Sequence, residues 1–315
     1  MKDKKLSINR FDKLFIIDIN PSNDDITNEL VVGKLSRVIK NAALYQNVAI
    51  VGHANLSILK QMTKDINIKS AYIISDNGGR IYNIKNNTVI WEAPMFREAV
   101  LAAVHCGLMQ DNLVLASGSF KEYAYSANLV NAMSLNQKHY IPLAYTNDYN
   151  KFTKFLESTP IYSVMVYQTN GLLLQKSIMD FNIVAKDWNV VVQPGTLINR
   201  LGHYFSINSK GSTKYNAILK LMETTKISNF ERVYYYALNT VNKQCINAFK
   251  HHLMHQYLAL KTDYYDQIDI QASTDEIVQD MTHAFFEGND INVTKFEDRG
   301  IVDTKRLVET MNKNH

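Results

Sequence analysis

The residues best placed for chemistry lie at the end of the first apolar segment. The run LFIIDI contains Asp18, and Asn20 and Pro21 follow it. A carboxylate at the end of a buried strand can act as a nucleophile when a second acid lies close by. A catalytic loop would be expected to supply that acid and a glycine, and this chain has an amide and a proline. The sequence therefore raises the question of whether Asp18 belongs to an active site or to the remains of one.

The composition predicts a globular protein with a large core. With 315 residues, 46% of them hydrophobic and 20% charged, the chain is long enough for two domains. The formal net charge of +4 is small and the basic residues are scattered, so no nucleic-acid partner is expected. No window approaches the roughly 20 apolar residues of a membrane helix, so no membrane association is expected. Cys106 and Cys245 stand in apolar contexts, which predicts buried reduced thiols in a cytoplasmic protein.

Short β-branched runs alternate with segments of helical period, which is typical of a parallel sheet covered by helices. The predicted strands of the first part are residues 14–19, 47–53 and 71–79. The first of them is apolar along most of its length, as expected for a strand buried on both faces. Apolar residues from Val31 to Ala42 recur at helical spacing and predict one helix. Residues 80–91 predict a β-hairpin with Asn86 and Asn87 in its turn.

The character of the chain changes after residue 93. Helical segments and strand-like runs, such as IYSVMVYQ at residues 161–168, then follow in an order that fits an α+β insertion. The helix–strand alternation resumes with the helix STKYNAILKLMETT and the strand RVYYYAL. A helix is predicted over NKQCINAFKHHLMHQYL, and the strand QIDIQAS and a last helix follow.

Five segments stand in the order and at the spacing of one known family: FIIDIN, AIVGHA, IISDNGGRIYN, FSINSKGSTKYNAIL and RVYYYALNTVNKQCI. By this order the chain resembles the haloacid dehalogenase (HAD) superfamily, and within it the Cof-type sugar-phosphate phosphatases. The resemblance implies an α/β fold, in which a Rossmann-like core with a parallel sheet and helices on both faces carries an inserted α+β cap. It places the core at residues 1–93 and 207–287, the cap at 94–206 and a C-terminal extension at 288–315.

The resemblance assigns catalytic positions to Asp18 and Asn20. Asp18 stands at the position of the nucleophile that attacks phosphorus and forms an aspartyl-phosphate. Asn20 stands at the position of the general acid and base, where an amide has no proton to give near neutral pH. Because general acid–base catalysis raises the reaction rate ~10²–10⁴-fold, we expect this change to reduce the turnover rate strongly.

The metal site that the resemblance implies is altered in the same way. Its ligands would be Asp18, Leu238 and Asn242, whereas Mg²⁺ takes oxygen ligands and usually one or two carboxylates. Leucine cannot coordinate a cation, so no cofactor is expected, with Mg²⁺ bound only if the protein is active. Without the metal, Asp18 would face a phosphate dianion of like charge.

The phosphate-binding positions of the family are partly kept. Lys214 matches the family's lysine, Gly52 and Asn77 stand in the corresponding loops, and Val51 replaces the expected hydroxyl. We expect Lys214 to pair with Asp18 as a buried or half-buried salt bridge. Val51 and Leu238 are expected to fill the site with apolar volume.

Four residues of the implied cap are candidates for the cleft between cap and core: Glu98, Glu122, Tyr123 and Tyr125. A solvated cap surface is the preferred interpretation for all four, because specificity residues in caps follow no fixed motif.

The sequence keeps the order of segments that predicts the family's fold, but it lacks most of the residues that carry out the family's reaction. The sequence therefore predicts a degenerate hydrolase-like protein without phosphatase activity, acting as a metabolite-binding or regulatory protein. Its ligand would be a small phosphorylated or sugar-like metabolite in the cap–core cleft, and the sequence identifies no protein partner. One alternative is a slow Mg²⁺-dependent phosphatase of sugar phosphates or similar small esters, acting through an aspartyl-phosphate on Asp18. A second alternative is an assembly role, in which the cap or the C-terminal extension mediates association.

Overall fold

The computed structural model describes residues 12–21, 25–109, 112–127, 140–168, 170–186, 188–196, 203–238, 245, 257–260 and 271–286. Asn242 and the predicted C-terminal extension lie outside these residues. The described strands are β1 (Leu14–Asp18), β2 (Asn47–Val51), β3 (Tyr72–Ser75), β4 (Arg80–Asn83), β5 (Thr88–Glu92), β6 (Leu113–Gly118), β7 (Glu122–Tyr125), β8 (Ala144–Thr146), β9 (Ile161–Gln168), β10 (Val190–Thr196), β11 (His203–Ser209), β12 (Val233–Ala237), β13 (Tyr257–Leu260) and β14 (Gln271–Ala272). The described helices are α1 (Asp25–Val32), α2 (Lys34–Tyr45), α3 (Leu56–Asp65), α4 (Arg97–Leu108), α5 (Tyr149–Ser158), α6 (Gly171–Val184), α7 (Lys214–Thr225) and α8 (Thr274–Phe286).

The strands form two sheets. The larger has the order β14-β13-β12-β1-β2-β3-β4-β5, and its first six strands run parallel. The hairpin β4-β5 closes one edge in antiparallel pairing, with the turn residue Asn87 at a positive φ of 54°. We call this sheet, with helices α1–α3, α7 and α8, the core unit. The predicted α/β class and the predicted hairpin are confirmed.

Strand β1 is buried on both faces, as its uninterrupted apolar sequence predicts. Phe15 and Ile17 pack on one side with residues of α2, α3 and α8. Leu14 and Ile16 pack on the other side with residues of α7. Since successive side chains of a strand point to opposite faces, one strand anchors both helical layers.

The predicted helix from Val31 to Ala42 is two helices, because the chain breaks at Gly33. Gly33 has an extended ψ of −160°, and a Cβ there would lie 2.1 Å from the Glu29 carboxylate. That carboxylate accepts the N–H of Lys34 at 2.6 Å and satisfies a free donor at the start of α2. The contact between the Glu29 carboxylate and the N–H of Lys34 therefore favours the break at Gly33, and hydrophobic periodicity does not predict such a contact.

The smaller sheet has the order β10-β11-β9-β6-β7-β8. Helices α4, α5 and α6 cover one of its faces through a separate hydrophobic cluster that includes Phe152, Phe181 and Phe205. We call these strands and helices the inserted unit, since they lie in the chain between β5 and α7. The predicted boundary at residue 206 falls inside β11, which pairs with β10 as far as Ser209.

The last part of the core unit differs from the sequence-based expectation in one element. The predicted helix over residues 242–258 overlaps β13, whose residues pair in parallel with β12. Sheet pairing with a buried neighbour overrides the local helical pattern there. The described cysteines, Cys106 and Cys245, are buried free thiols, as predicted. In the described part of the chain, no helix has the length and apolarity needed to cross a membrane.

Candidate functional site

The carboxyl ends of β12, β1 and β2 lie side by side at one edge of the large sheet. In register, Asp18 stands between Ala237 of β12 and Val51 of β2. Leu238 donates its N–H to the carbonyl of Asp18 at 2.9 Å, which holds it beside the aspartate. In open α/β sheets, ligands bind outside the carboxyl ends of the strands. The sheet thus delivers Asp18 to the edge where site residues are expected.

Asp18 forms a buried ion pair with Lys214. Lys214 begins α7, and its Nζ lies 2.5 Å from Oδ1 of Asp18, with side-chain exposures of 2% and 0%. Thr213 fixes the start of this helix, because its hydroxyl accepts the N–H of Asn216 at 3.1 Å. The salt bridge predicted between these two residues is confirmed, and it is fully buried.

The second carboxylate oxygen of Asp18 is occupied as well. The hydroxyl of Tyr235, in β12, donates a hydrogen bond to Oδ2. Burial, and then the Asp18 charge, raise the pKa of Tyr235 well above its ordinary value, so the hydroxyl keeps its proton. Burial, with a contribution from Asp18, also raises the pKa of the Cys245 thiol. Asp18 therefore has a cation on one oxygen and a donor on the other, and the nearby thiol is protonated and inert.

Hydrocarbon surrounds this pair at two positions where the family resemblance expects polar groups. Val51 is 0% exposed and packs with Ile16 on one face of the sheet. Leu238 is 1% exposed and packs with Ile17 on the other face. Both side chains are therefore buried in the hydrophobic clusters of the core unit. Asn20 lies half-buried two residues beyond Asp18.

The side-chain donors that the structure describes at this edge do not fit Mg²⁺. Both oxygens of Asp18 are engaged, Leu238 offers only hydrocarbon, and Asn242 is outside the described residues. Mg²⁺ needs oxygen ligands and usually one or two carboxylates. Among the residues that the structure describes, no group of three or more His, Cys, Asp or Glu side chains could hold a metal ion.

Gly52 and Asn77, the two loop positions predicted to bind phosphate, are engaged within the protein. The N–H of Gly52 donates to the carbonyl of Ile74 at 2.9 Å, and the N–H of Asn77 donates to the carbonyl of Gly52 at 3.2 Å. The side-chain amide of Asn77 donates to Ser206 Oγ and to Asn208 Oδ1, each at 3.3 Å. Both of these acceptors belong to β11, so Asn77 connects the core unit to the inserted unit.

Asp76, just after β3, forms a second buried ionic centre. Arg80 Nε donates to Asp76 Oδ2 at 2.7 Å, with side-chain exposures of 2% and 0%. The Ser75 hydroxyl donates to the same oxygen at 2.6 Å, and the Ser117 hydroxyl donates to Oδ1. The Arg80 guanidinium also donates to the carbonyl of Ser119 at 2.7 Å. Because Ser117 and Ser119 lie in the inserted unit, this centre joins the two units.

Glu122, at the start of β7, extends the junction. It is 5% exposed, and its Oε1 accepts the backbone N–H of Asn55 at 2.7 Å. The expected solvated position is therefore wrong for Glu122, because β7 turns it towards the first residue before α3. Within the described residues, Oε2 of Glu122 has no hydrogen-bond partner. Burial raises the pKa of Glu122 to about 8, with a further contribution from Asp76.

Aromatic rings of the two units meet just beyond the end of β2. The ring of Tyr204, in β11, lies 5.8 Å from that of His53 in the core unit and 5.7 Å from that of Tyr167. Burial, and then the Asp18 charge, raise the pKa of Tyr204 to about 12. The sequence-based reasoning missed both Tyr204 and the Asp76 centre, because neither follows a local pattern.

Comparison with known proteins gives the following matches. A family model described as haloacid dehalogenase-like hydrolase matches residues 47–234. No curated protein sequence matches the chain. A solved haloacid dehalogenase-like hydrolase from B. subtilis is similar, with 13% identity, a TM-score of 0.62, and coverage of 86% of this chain and 99% of that chain.

Two further solved structures are similar. The HAD subclass IIB sugar phosphatase BT4131 shares 12% identity, with a TM-score of 0.61 and coverage of 87% of this chain and 98% of that one. BT1666 from Bacteroides thetaiotaomicron, described among phosphatases of the HAD superfamily, shares 10% identity with a TM-score of 0.62, and the match covers 90% and 97% of the two chains. At these identities the likeness is one of fold.

Proposed function

Since the chain belongs to the haloacid dehalogenase-like hydrolase family, we propose that it uses the fold of that family as a binding or regulatory protein without phosphatase activity. The observation that carries the proposal is the state of Asp18. Lys214 holds one of its oxygens and Tyr235 donates to the other, at a site closed to solvent.

Nucleophilic attack on phosphorus needs a carboxylate oxygen with a free lone pair directed at the substrate. Each oxygen of Asp18 already accepts a hydrogen bond from a buried donor, Lys214 or Tyr235, which draws charge from the carboxylate and lowers its nucleophilicity. Breaking a buried ion pair is costly, because each charge then loses its partner in a medium of low dielectric. The pairing thus favours a structural role for Asp18.

The groups that would assist such an attack are also replaced. Asn20 cannot donate a proton to the leaving oxygen, and the donor set around Asp18 does not fit Mg²⁺. Without a metal, the carboxylate and a phosphate dianion would repel each other at contact distance. These two losses concern different groups of the site, so restoring one of them would leave the other.

The ligand of such a protein is proposed to be a small metabolite held between the core unit and the inserted unit. The rings of His53 and Tyr204 meet there from the two units, with their centroids 5.8 Å apart, and aromatic side chains can stack against a sugar-like ring. Lys214 is already neutralised by Asp18, which makes a phosphate dianion the less favoured group. We therefore propose a sugar-like metabolite with few or no phosphates.

The catalytic part of the proposal is tested by assaying phosphate release from sugar phosphates and from an acyl phosphate, with and without Mg²⁺. Wild-type protein is compared with Asp18→Asn combined with Lys214→Met, a variant that removes both charges together and leaves neither one unpaired. We expect equal background release from both proteins. Mg²⁺-dependent release by the wild type alone would overturn the proposal and favour the slow phosphatase that acts through Asp18.

The ligand part is tested by thermal melting in the presence of matched sugars and sugar phosphates. An unphosphorylated sugar is expected to raise the melting temperature in a concentration-dependent way, since it binds only the folded protein. The same sugar is expected to lose this effect in a Tyr204→Ala variant. Stabilisation by phosphorylated sugars alone, and by inorganic phosphate, would contradict the preference for a neutral ligand.

A further inference from the structure

Helix α6 carries large apolar side chains on the side that faces away from its sheet. Its inner side packs Leu174 and Phe181 into the core of the inserted unit. On the outer side, Leu172, Met179 and Ile183 are 76%, 66% and 75% exposed. A helix that is apolar on both sides is normally covered on both sides.

The neighbouring helix α5 shows that this is not a general property of the inserted unit. Helix α5 also buries one side, with Phe152 and Leu156 in the same cluster. Its outer side carries the exposed Lys151, Lys154 and Glu157. Single exposed apolar residues are ordinary, but three on one side of one helix point to an interaction surface.

The outer residues of α6 are spaced as a coiled-coil seam. Leu172, Lys176, Met179 and Ile183 follow one another at intervals of four, three and four residues, the alternation that keeps a seam facing a partner helix. Along the sequence, the two end residues of the seam, Leu172 and Ile183, have the same midpoint as its two central residues, Lys176 and Met179. A seam that is symmetric about its own centre suits an antiparallel copy of itself, with Leu172 of each helix against Ile183 of the other.

The charges on this seam favour the same arrangement. Lys176 is exposed in the seam, and Asp180 flanks it, half-buried. In an antiparallel pair with this midpoint, Lys176 of one copy lies opposite Met179 and Asp180 of the other. A parallel pair would instead bring the two Lys176 ammonium groups together, which is unfavourable.

We propose that α6 is the contact surface of a homodimer, in which two copies of the chain pair their α6 helices antiparallel about a two-fold axis. Such an interface is isologous, so each seam residue is used twice. Stable dimers bury about 800 Å² on each partner, and one helix seam is smaller than that. The dimer is therefore weak and concentration-dependent. The proposal does not depend on what the protein binds or catalyses.

Sedimentation equilibrium of the full chain over a wide concentration range tests the dimer. The average mass of wild-type protein is expected to rise from 36.1 kDa towards twice that value. Met179→Glu and Ile183→Glu are expected to stay at the single-chain mass, because they place carboxylates in the seam. Val32→Glu is the matched control, since Val32 is also 76% exposed but lies on α1 of the core unit. It is expected to associate as the wild type does.

The antiparallel register is tested by exchanging charges. Lys176→Asp and Asp180→Lys are each expected to weaken association about threefold to tenfold, and the double exchange is expected to restore it. A wild type that remains a single chain at all concentrations would overturn the proposal. So would a dimer that the α6 variants leave unchanged, or a double exchange no better than the single changes.

Discussion

Asp18 and Asp76 are two buried aspartates at strand ends of one sheet, with β2 between their strands, and each is paired with a buried cation. The partners of Asp18, Lys214 and Tyr235, both belong to the core unit. Asp76 is held by Arg80 within the core unit and by Ser117 from the inserted unit. The same chemistry thus closes a site in one place and joins two units in the other.

The cations explain part of this difference. Lys214 is a point charge with its ammonium group on a single carboxylate oxygen. The guanidinium of Arg80 is a planar fork, and it reaches the carbonyls of Ser119 and Gly118 as well as Asp76. A lysine suits a closed pair, whereas an arginine can bridge several groups across an interface.

The largest expected effect comes from removing Asp18. Asp18→Ala leaves Lys214 buried without its carboxylate, and we expect a loss of about 3–5 kcal/mol in the free energy of unfolding. Urea denaturation measures it. The double variant with Lys214→Met removes the stranded charge and is expected to recover most of the loss. An Asp18→Ala variant as stable as the wild type would show that the ion pair contributes nothing to the fold.

Removing Asp76 is expected to cost less, about 2–3 kcal/mol, because Arg80 keeps its carbonyl acceptors in the inserted unit. Unlike the loss of Asp18, the loss of Asp76 is also expected to weaken the contact between the core unit and the inserted unit. Limited proteolysis at the connections near residues 93–96 and 210–213 should become faster in Asp76→Ala than in Asp18→Ala. Equal cleavage of the two variants would contradict the assignment of different roles to the two centres.

Glu122 is expected to give a pH-dependent effect at the junction. The folded protein keeps this carboxyl protonated up to about pH 8, whereas the unfolded chain releases the proton near its ordinary value of 4.5. The folded state therefore binds more protons between these values, and stability falls as the pH rises through them.

Glu122→Gln removes that slope while keeping an oxygen for the N–H of Asn55. Relative to wild type, it should gain about 1–2 kcal/mol between about pH 5 and about pH 9, as measured by denaturation at each pH. This gain in the free energy of unfolding stays well below the free energy that corresponds to the whole pKa shift, because local relaxation hydrates the charged carboxylate of Glu122 in the wild type. A constant difference between the two proteins across this range would refute the buried-carboxyl account.

The smallest effect is expected at an exposed ion pair, which serves as the reference for the buried ones. Lys34 and Asp275 lie 2.7 Å apart with side-chain exposures of 62% and 73%. Solvent and salt screen such a pair, so Asp275→Asn should leave the melting temperature unchanged within error. A loss comparable to that of Asp76→Ala would remove the distinction between buried and exposed pairs.

The family resemblance predicted the pair of Asp18 and Lys214, but not the hydrogen bond from Tyr235. Asp18 ends an apolar strand and Lys214 begins an amphipathic helix, so family geometry brings them together. The Asp76 centre has no local signature in the sequence, since Ser117 lies 41 positions away and Glu122 contacts Asn55 across 67 positions. The break at Gly33 was missed for a related reason, because a side-chain cap and not periodicity determines it.

The central claim is that Asp18 serves the fold and not phosphoryl transfer, and calorimetric titration with Mg²⁺ tests it most directly. Wild-type protein is titrated with Mg²⁺ alone and in the presence of orthovanadate, a mimic of the transition state of phosphate transfer. The account predicts no binding heat and no thermal stabilisation, because Leu238 supplies no side-chain oxygen at the metal position that the family resemblance implies. Stoichiometric Mg²⁺ binding that is strengthened by vanadate and lost in Asp18→Asn would contradict it.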